Sequence, residues 1–199
     1  MDEQLAAYIN DLYQRGQAHD AEEPDRLDRL RNVEPDTARL LAMLVRATHA
    51  RRLLEVGTSN GFSTLWLADA ARSIGGRVVS VEIDPVRTAQ ALAHLSAVKL
   101  DEVVELRTED AAQTLKRSAD AVWDLIFLDA ERPAYVDYWP DLVRVLKKGG
   151  LLVLDNVLSH SDEVHDFRQL VDKDPRVSEA LVPIGAGALL IVKEAAPER

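Results

Sequence analysis

The residues best able to do chemistry follow apolar segments of the chain, at the points where predicted strands end. Asp129 comes directly after the apolar run Leu125–Leu128, and Asp155 with Asn156 comes directly after Leu151–Leu154. Consecutive parallel strands are usually neighbours, so these side chains are expected at one edge of a sheet. Two carboxylates and an amide oxygen form an oxygen-only set that suits Mg²⁺, Ca²⁺ or Mn²⁺. The pattern therefore predicts a divalent-cation site.

A second interpretation of the same residues needs no metal. Aspartate is a common N-cap of a helix, because its side chain accepts hydrogen bonds from the free N–H groups of the first turn. Asp129 and Asp155 could each have this role where a strand passes into a helix. In that interpretation the two carboxylates are structural, and any reaction proceeds without a cation.

A glycine-containing turn after another apolar strand indicates a cofactor. Leu53–Val56 leads into Gly57, and the turn ends at Gly61 before a helix rich in Leu and Ala. Glycine lets the backbone approach a ligand closely and adopt positive φ, and a helix N-terminus presents free N–H groups to an anionic group. Glu82, which follows the second strand Val78–Val81, can hold both hydroxyls of a ribose. Together these features predict a nucleoside-containing cofactor.

Strand-like and helix-like segments alternate along the chain, which predicts a doubly wound α/β sheet that is mostly parallel. The Gly-rich stretch Pro183–Gly187 joins two short apolar runs and predicts a C-terminal antiparallel hairpin. The sequence Lys147–Gly150 (KKGG) predicts the basic last turn and glycine stop of a helix. Residues 1–32 contain no strand pattern and predict a helical N-terminal extension that acts as a lid.

Size and composition exclude several classes of function. At 199 residues the chain is expected to form a single domain. Its 24 basic and 34 acidic residues give a formal charge of −10, which argues against nucleic acid or an anionic membrane as a partner. There is no cysteine, so disulfides, thiolate nucleophiles and zinc–thiolate sites are excluded. No apolar run is long enough to predict a transmembrane helix, and we expect a cytoplasmic protein.

The chain resembles the cation-dependent O-methyltransferases typified by catechol and caffeoyl-CoA O-methyltransferases, in particular their short bacterial members. The resemblance covers about Pro35 to Lys193. It rests on five segments in the same order, LLEVGTSNGFSTLWLA, VVSVEIDP, DLIFLDAERPAY, GGLLVLDNVL and PIGAGALL. The resemblance implies a Rossmann-like class I methyltransferase sheet, one methyltransferase domain over residues 1–199, and a homodimer.

The resemblance also implies S-adenosylmethionine as the cofactor and assigns residues around it. These are Glu55, Gly57 and Ser63 at the methionine portion, Glu82 at the ribose, and Asp110 and Ala111 beside the adenine. Asp129 is a further cofactor-binding residue. Asp129, Asp155 and Asn156 match the three metal ligands of the family. The hydroxyls of a small catechol-like substrate would complete the coordination of the metal.

Departures from the family pattern concern the substrate side of the site. Where relatives usually carry lysine, three residues past the first metal-binding aspartate, this chain has Arg132. A lysine can lose its proton and act as a base, whereas an arginine effectively cannot. Arg132 is therefore expected to orient the substrate oxygen, and Asp129 is the other candidate catalytic residue. The tip of the final hairpin carries Ala186, where an acidic residue is frequent in relatives.

Three hypotheses of function follow. The primary one is transfer of a methyl group from S-adenosylmethionine to a hydroxyl of a small catechol-like or phenolic molecule, with Mg²⁺ as the expected cation and Ca²⁺ or Mn²⁺ as alternatives. The second is a catalytically impaired regulatory protein that binds S-adenosylmethionine, which the presence of Arg132 favours. The third is a metal-independent methyltransferase in which the aspartates cap helices.

Overall fold

The computed structural model describes residues 1–194, and seven strands in this range form one sheet. The strands are β1 (Arg52–Val56), β2 (Arg77–Glu82), β3 (Val104–Thr108), β4 (Trp123–Leu128), β5 (Leu146–Leu154), β6 (Val177–Val182) and β7 (Ala188–Lys193). Their order is β3-β2-β1-β4-β5-β7-β6. Strands β1 to β5 are parallel, and β7 runs antiparallel to both β5 and β6. The predicted doubly wound, mostly parallel sheet with a C-terminal antiparallel hairpin is confirmed.

The described residues also form seven α-helices. They are α1 (Glu3–Glu22), α2 (Pro35–Ala47), α3 (Phe62–Ser73), α4 (Pro85–Ala97), α5 (Ala111–Arg117), α6 (Tyr135–Val145) and α7 (His165–Lys173). Local sequence explains where several of them begin. Pro85 suits the first turn of α4 because proline has no N–H to leave unpaired there. Asp84 caps the same helix by accepting a hydrogen bond from the backbone N–H of Val86 at 2.7 Å.

The helices cover both faces of the sheet with apolar side chains. Leu41 of α2 and Leu65 of α3 are fully buried in the layer on one face, and Leu142 of α6 and Phe167 of α7 are buried in the layer on the other. Helix α1 joins the first layer through side chains such as Leu12. No helix within residues 1–194 has the length and apolar character needed to cross a membrane.

The prediction that Lys147–Gly150 ends a helix is wrong. Helix α6 ends at Val145, and β5 begins at Leu146 and runs through both glycines. Lys147 is not a solvated helix end, because its Nζ lies 2.5 Å from Asp124 Oδ1 on the neighbouring strand β4. Strand β5 pairs with β4 at Leu146 and again from Leu151, with a register shift between these two points, so Lys147–Gly150 forms an irregular part of the strand and not the end of a helix.

The N-terminal extension is helical only as far as α1. The chain then runs as turns and irregular backbone through residues 23–34, which we call the strap segment, before α2 begins. Part of this segment lies across the carboxyl ends of the strands, where Leu30 to Val33 line a cavity. The segment that covers the sheet edge is therefore irregular, and the helix before it belongs to the core.

Candidate active site

A cavity of about 350 Å³ lies at the carboxyl ends of β1, β2 and β4. The strand order reverses direction at β1, since β2 lies on one side of it and β4 on the other. Open α/β sheets bind their ligands at such switch points. Eight of the ten predicted site residues line the cavity, namely Gly57, Ser63, Glu82, Asp110, Ala111, Asp129, Arg132 and Asn156. The other two, Glu55 and Asp155, lie behind its wall.

Gly57 directly follows β1 and has a left-handed backbone, at φ 103°. Its N–H donates to the carbonyl oxygen of Val81 on β2 at 2.9 Å. A Cβ at this position would overlap the carbonyl oxygen of Asp129. Sequence reasoning assigns this glycine to the approach of a ligand. In the structure the backbone at the end of β4 already requires glycine, so its presence alone does not identify a ligand.

Glu55 is fully buried in a cluster of hydroxyl groups. Its carboxylate accepts hydrogen bonds from Ser63 Oγ at 2.6 Å, Thr64 Oγ1 at 2.5 Å and Ser80 Oγ at 2.6 Å. Burial raises the pKa of Glu55 to about 7, although the three hydroxyl donors oppose this effect. Of these residues only Ser63 lines the cavity. Glu55 can therefore act on a ligand through Ser63, and direct contact with a cofactor stays a prediction.

Glu82 joins the end of β2 to the glycine turn. Its Oε2 accepts a hydrogen bond from the N–H of Ser59 at 2.8 Å, and its Oε1 accepts from the N–H groups of Ile83 and Asp84 at 2.9 and 3.0 Å. A carboxylate can accept about four hydrogen bonds, so Glu82 keeps capacity for a hydroxyl in the cavity that it borders. Its binding of a ribose is untested and stays a prediction.

Asp110 has a structural role that the sequence interpretation does not include. It caps α5, since its Oδ1 accepts a hydrogen bond from the N–H of Ala112 at 2.8 Å. The hydroxyl of Tyr138 lies 3.4 Å from the same oxygen. Asp110, Ala111 and Tyr138 all line the cavity, so a flat group beside them would meet a carboxylate and an aromatic ring.

The structure brings Asp129, Asp155 and Asn156 together at one edge of the sheet. Strands β4 and β5 pair in register, with Leu128 opposite Leu154, and an aspartate follows each of these residues. Nδ2 of Asn156 lies 3.4 Å from Asp129 Oδ1 and 3.3 Å from Asp155 Oδ2. Asn156 has a left-handed backbone, at φ 64°, a conformation that asparagine tolerates better than most residues.

Neither aspartate caps a helix in the part of the chain that the structure describes. The short 3₁₀ turn after β4 begins beyond Glu131, and the residue before α7 is Val164, which has no side chain able to cap. The interpretation of Asp129 and Asp155 as helix caps is therefore wrong. Their position requires another explanation.

The two carboxylates are held in an unfavourable electrostatic environment. Burial raises the pKa of both aspartates, and repulsion by Asp129 raises the pKa of Asp155 further. Asp155 is only 2% exposed, and its Oδ1 has no hydrogen-bond partner. Buried carboxylates normally have a partner or bind a metal. An oxygen without a partner beside a second carboxylate fits a bound cation.

The donor set is small. Within residues 1–194 no group of three or more His, Cys, Asp or Glu side chains could hold a metal ion, and the polar side chain beside the two carboxylates is the amide of Asn156. The two ends of an amide are distinguished only by their hydrogen bonds, and half a turn of the side chain would present Oδ1 in place of Nδ2. Two carboxylates and one amide oxygen fit a hard cation that keeps open positions for water or substrate.

Arg132 lines the cavity and is 6% exposed. Its Nη1 donates to Glu163 Oε2 at 2.9 Å, and Arg26 of the strap segment donates to the same oxygen at 3.2 Å. The positive charge of Arg132 opposes the rise in the pKa of Asp129 that burial causes. Arg132 is thus fixed beside the acidic pair, and its contact with a substrate stays a prediction.

Sequence reasoning did not find the contacts that hold the strap segment over the cavity. Asp20 accepts hydrogen bonds from the N–H groups of Leu30 and Arg31 at 2.7 and 2.8 Å. Arg31 also pairs with Glu131 at 2.6 Å, and Arg87 of α4 donates to backbone carbonyl oxygens of the segment. No periodic pattern marks these residues, so the sequence offers no signal for them beyond the lack of a helical pattern.

Comparison with known proteins identifies the family. The sequence profile of a family described as O-methyltransferase matches residues 17–194. This chain belongs to the O-methyltransferase family. It is 33% identical over 130 residues to a catechol O-methyltransferase of Niastella koreensis, and the matched region covers 64% of this chain and 58% of the relative. It is also 36% identical over 126 residues to a catechol O-methyltransferase of Mycobacterium tuberculosis, and that matched region covers 63% of this chain and 57% of the relative.

The chain thus spans less than two thirds of the length of these two catechol O-methyltransferases. Its fold matches over a longer range. The crystal structure of the O-methyltransferase from Bacillus cereus in complex with SAH has a TM-score of 0.78 and 26% identity, covering 94% of this chain and 91% of that one. These comparisons confirm the family that the sequence segments indicate and the class I methyltransferase fold.

Proposed function

We propose that this O-methyltransferase transfers a methyl group from S-adenosylmethionine to a hydroxyl of a small catechol-like or phenolic molecule, with a divalent cation bound beside the acceptor. The meeting of Asp129, Asp155 and Asn156 at the cavity carries this proposal. The buried oxygen of Asp155 without a partner supports a cation there, and the names of the relatives support the class of substrate.

The cavity wall fits a nucleoside with a cationic tail. S-adenosylmethionine supplies an activated methyl group on a positively charged sulfur. Glu82 and Asp110 offer carboxylate oxygens to hydroxyl and amino donors, and Ser63 is fixed by its hydrogen bond to Glu55. The related enzyme from Bacillus cereus, which has SAH bound, supports a cofactor of this type in this fold.

Asp129, Asp155 and Asn156 would hold the cation through their oxygen atoms. When bound, a divalent cation supplies positive charge that lowers the pKa of a substrate hydroxyl and orients its oxygen. The chain keeps Asp129 in place through its neighbour, because the Tyr135 hydroxyl accepts from the N–H of Ala130 at 3.0 Å and donates to its carbonyl oxygen at 2.7 Å. A fixed position for the reacting oxygen is itself a source of rate acceleration.

Arg132 has a binding role in this proposal and not the role of a base. A guanidinium stays protonated at neutral pH, and Glu163 holds this one against the cavity wall. Arg132 can therefore attract and orient an anionic oxygen of the substrate. It does not remove the proton of the substrate hydroxyl.

The test is incubation of the protein with catechol and methyl-labelled S-adenosylmethionine, with Mg²⁺ and with a chelator. We expect labelled product with Mg²⁺, its loss with the chelator, and recovery when Mg²⁺ is restored. Methylation that the chelator does not reduce would favour a metal-independent methyltransferase. Binding of S-adenosylmethionine without turnover of any phenol in a broad panel would favour the regulatory protein.

We also propose a cytoplasmic homodimer with no nucleic-acid or membrane partner. The resemblance to family members supports the dimer, and the net charge of −10 and the lack of cysteine support the other two statements. Light scattering after gel filtration should give the mass of two chains, and the mass of one chain would contradict the dimer.

A further inference from the structure

Positively charged side chains line the cavity, although the chain as a whole is acidic. The basic residues of its lining are Arg31, Arg87 and Arg132. Arg87 is occupied, because it donates to backbone carbonyl oxygens of the strap segment. Arg31 and Arg132 lie near the acidic pair, since burial raises the pKa of Asp129 and the charges of these two arginines oppose that rise. Two guanidinium groups therefore border the part of the cavity in which the methyl acceptor is proposed to bind.

Arg31 has a backbone conformation that arginine rarely adopts. Its φ is 50°, in the left-handed region that is unfavourable for a residue with a Cβ. Asp20 of α1 holds it there by accepting hydrogen bonds from the N–H groups of Leu30 and Arg31. Strained residues that their surroundings hold in place are concentrated at binding sites. The chain thus keeps an unfavourable conformation at a residue that borders the cavity.

Most hydrogen-bond donors of Arg31 and Arg132 are available to a ligand, because a guanidinium has five N–H donors. In residues 1–194 the side chain of Arg31 donates to Glu131 and that of Arg132 donates to Glu163, and neither side chain donates to a further group. The side chains of Arg31 and Glu131 are 33% and 52% exposed, and exposed ion pairs are weak. A carboxylate of a ligand can therefore share Arg31 with Glu131 or replace it.

The ion pairs beside this part of the cavity form one network with an excess of positive charge. Arg26 and Arg132 both pair with the same oxygen of Glu163, and Arg31 pairs with Glu131. Three guanidinium groups thus meet two carboxylates, which leaves one positive charge. We call this set of five side chains the arginine network. Its charge fits a ligand with a single negative charge.

We propose that the methyl acceptor is an acidic catechol and that Arg31 and Arg132 bind its carboxylate. This inference rests on the proposed function, because it takes the acceptor hydroxyls to lie at Asp129, Asp155 and Asn156. A guanidinium matches the planar shape of a carboxylate and can donate two parallel N–H bonds to it. The carboxylate supplies the negative charge that the arginine network lacks. Uncharged catechols bind the same site without this contact and therefore more weakly.

Calorimetric titration of acidic catechols and their amides tests this assignment without turnover. The acids are 3,4-dihydroxybenzoate and 3,4-dihydroxyphenylacetate, whose carboxylates lie on the ring and one carbon away from it. Each acid is compared with its own carboxamide, which has the same size and no charge. The protein is saturated with S-adenosylhomocysteine and Mg²⁺. We expect the wild type to bind at least one acid about tenfold more tightly than its amide, because hydrogen bonds between charged groups are stronger than neutral ones.

Two variants distinguish a contact with the carboxylate from a loosening of the strap segment, because both break the pair between Arg31 and Glu131. Arg31→Gln removes the guanidinium and should reduce the preference for the acid about tenfold. Glu131→Gln removes the carboxylate that competes for the same guanidinium and should raise the preference about threefold. Arg39→Gln, at an exposed arginine of α2, makes the same change of charge as Arg31→Gln and should keep the wild-type preference.

The outcomes separate this inference from the proposed function. Wild-type protein that binds both catechol amides at least as tightly as the acids would overturn the inference and leave the proposed function standing. A preference that Arg31→Gln retains, or that Glu131→Gln or Arg39→Gln loses to the same extent as Arg31→Gln, would also overturn it. Wild-type protein that binds none of the four catechols with Mg²⁺ present would overturn the proposed function, and this inference with it.

Discussion

Asp155 is the residue whose surroundings say most about the site. It is buried next to a second carboxylate, and one of its oxygens has no partner. Desolvation and repulsion both disfavour its charged form, and either a bound proton or a bound cation would relieve this. A cation shared with Asp129 and Asn156 would offset both effects. This is the physical reason for proposing that the three residues hold a metal ion.

Replacing Asp155 by alanine should abolish cation-dependent turnover, since one of two carboxylate ligands is removed. Affinity for S-adenosylmethionine should stay within about tenfold, because Asp155 does not line the cavity. The measurements are initial rates with Mg²⁺ and calorimetric titration of the cofactor. Asp162→Ala, an exposed aspartate a few residues further along, is the control and should retain activity. A fully active Asp155→Ala would remove this residue from the ligand set.

Glu55 should make stability depend on pH. Burial raises its pKa to about 7 in the folded chain from an ordinary value of 4.5, so the folded state holds the proton more tightly than the unfolded state. Its contribution to stability is then fully present below about pH 4.5 and is lost as pH rises through about 7. This shift corresponds to roughly 3 kcal/mol.

Glu55→Gln removes the titrating group and keeps the shape of the side chain. Between pH 5 and pH 8, about the range in which such a group titrates, the melting temperature of metal-free Glu55→Gln should fall less than that of wild type. Differential scanning calorimetry in the presence of a chelator measures both curves. Parallel curves for the two proteins would show that Glu55 keeps an ordinary pKa despite its burial.

At the scale of elements, the turn after β1 depends on close contact with the end of β4. Gly57→Ala should destabilise the fold by about 3 kcal/mol or more, because it adds steric overlap with the Asp129 carbonyl to the strain of positive φ. Gly75→Ala is a matched control with φ 68° and open space around its Cβ position, and it should cost about 1 kcal/mol. Urea unfolding of the two variants measures the difference, and equal costs would contradict the overlap.

The strap segment depends on a carboxylate of α1 for its position. Asp20→Ala removes the acceptor of two backbone N–H groups, so the segment should open more often and trypsin should cleave after Arg26, Arg29 or Arg31 about tenfold faster. Bound S-adenosylhomocysteine should slow this cleavage if the segment covers the cofactor. Glu22→Ala, an exposed change on the same helix, should be cleaved as wild type is. Unchanged cleavage of Asp20→Ala would mean that other contacts suffice to hold the segment.

Strands that lie in the middle of the sheet could be predicted because burial on both faces leaves a plain apolar run, as in Leu125–Leu128. The segment Lys147–Gly150 could not, because it lies at a register shift between β5 and β4 and Lys147 pairs with a distant residue, Asp124. The strap segment has no local pattern at all. Its position is set by side chains far along the chain, of which Arg87 is an example.

At the scale of the whole molecule, topology explains why the sequence predicts that so many of the candidate residues lie together. Parallel strands place their carboxyl ends at one edge, so the polar residues after β1, β2, β4 and β5 had to converge there. The pairing of Arg132 with Glu163 and that of Arg31 with Glu131 are long-range contacts between loops. No spacing rule encodes such contacts, and they appear only once the chain is folded.

The central claim is that Asp129, Asp155 and Asn156 share one divalent cation. Crystals grown with Mn²⁺ and S-adenosylhomocysteine test it most directly, through an anomalous difference map at the manganese absorption edge. The account predicts one strong peak within about 2.0–2.6 Å of an oxygen of each of the three side chains. A well-ordered cavity with no peak among these oxygens, at a Mn²⁺ concentration that supports full activity, would contradict it.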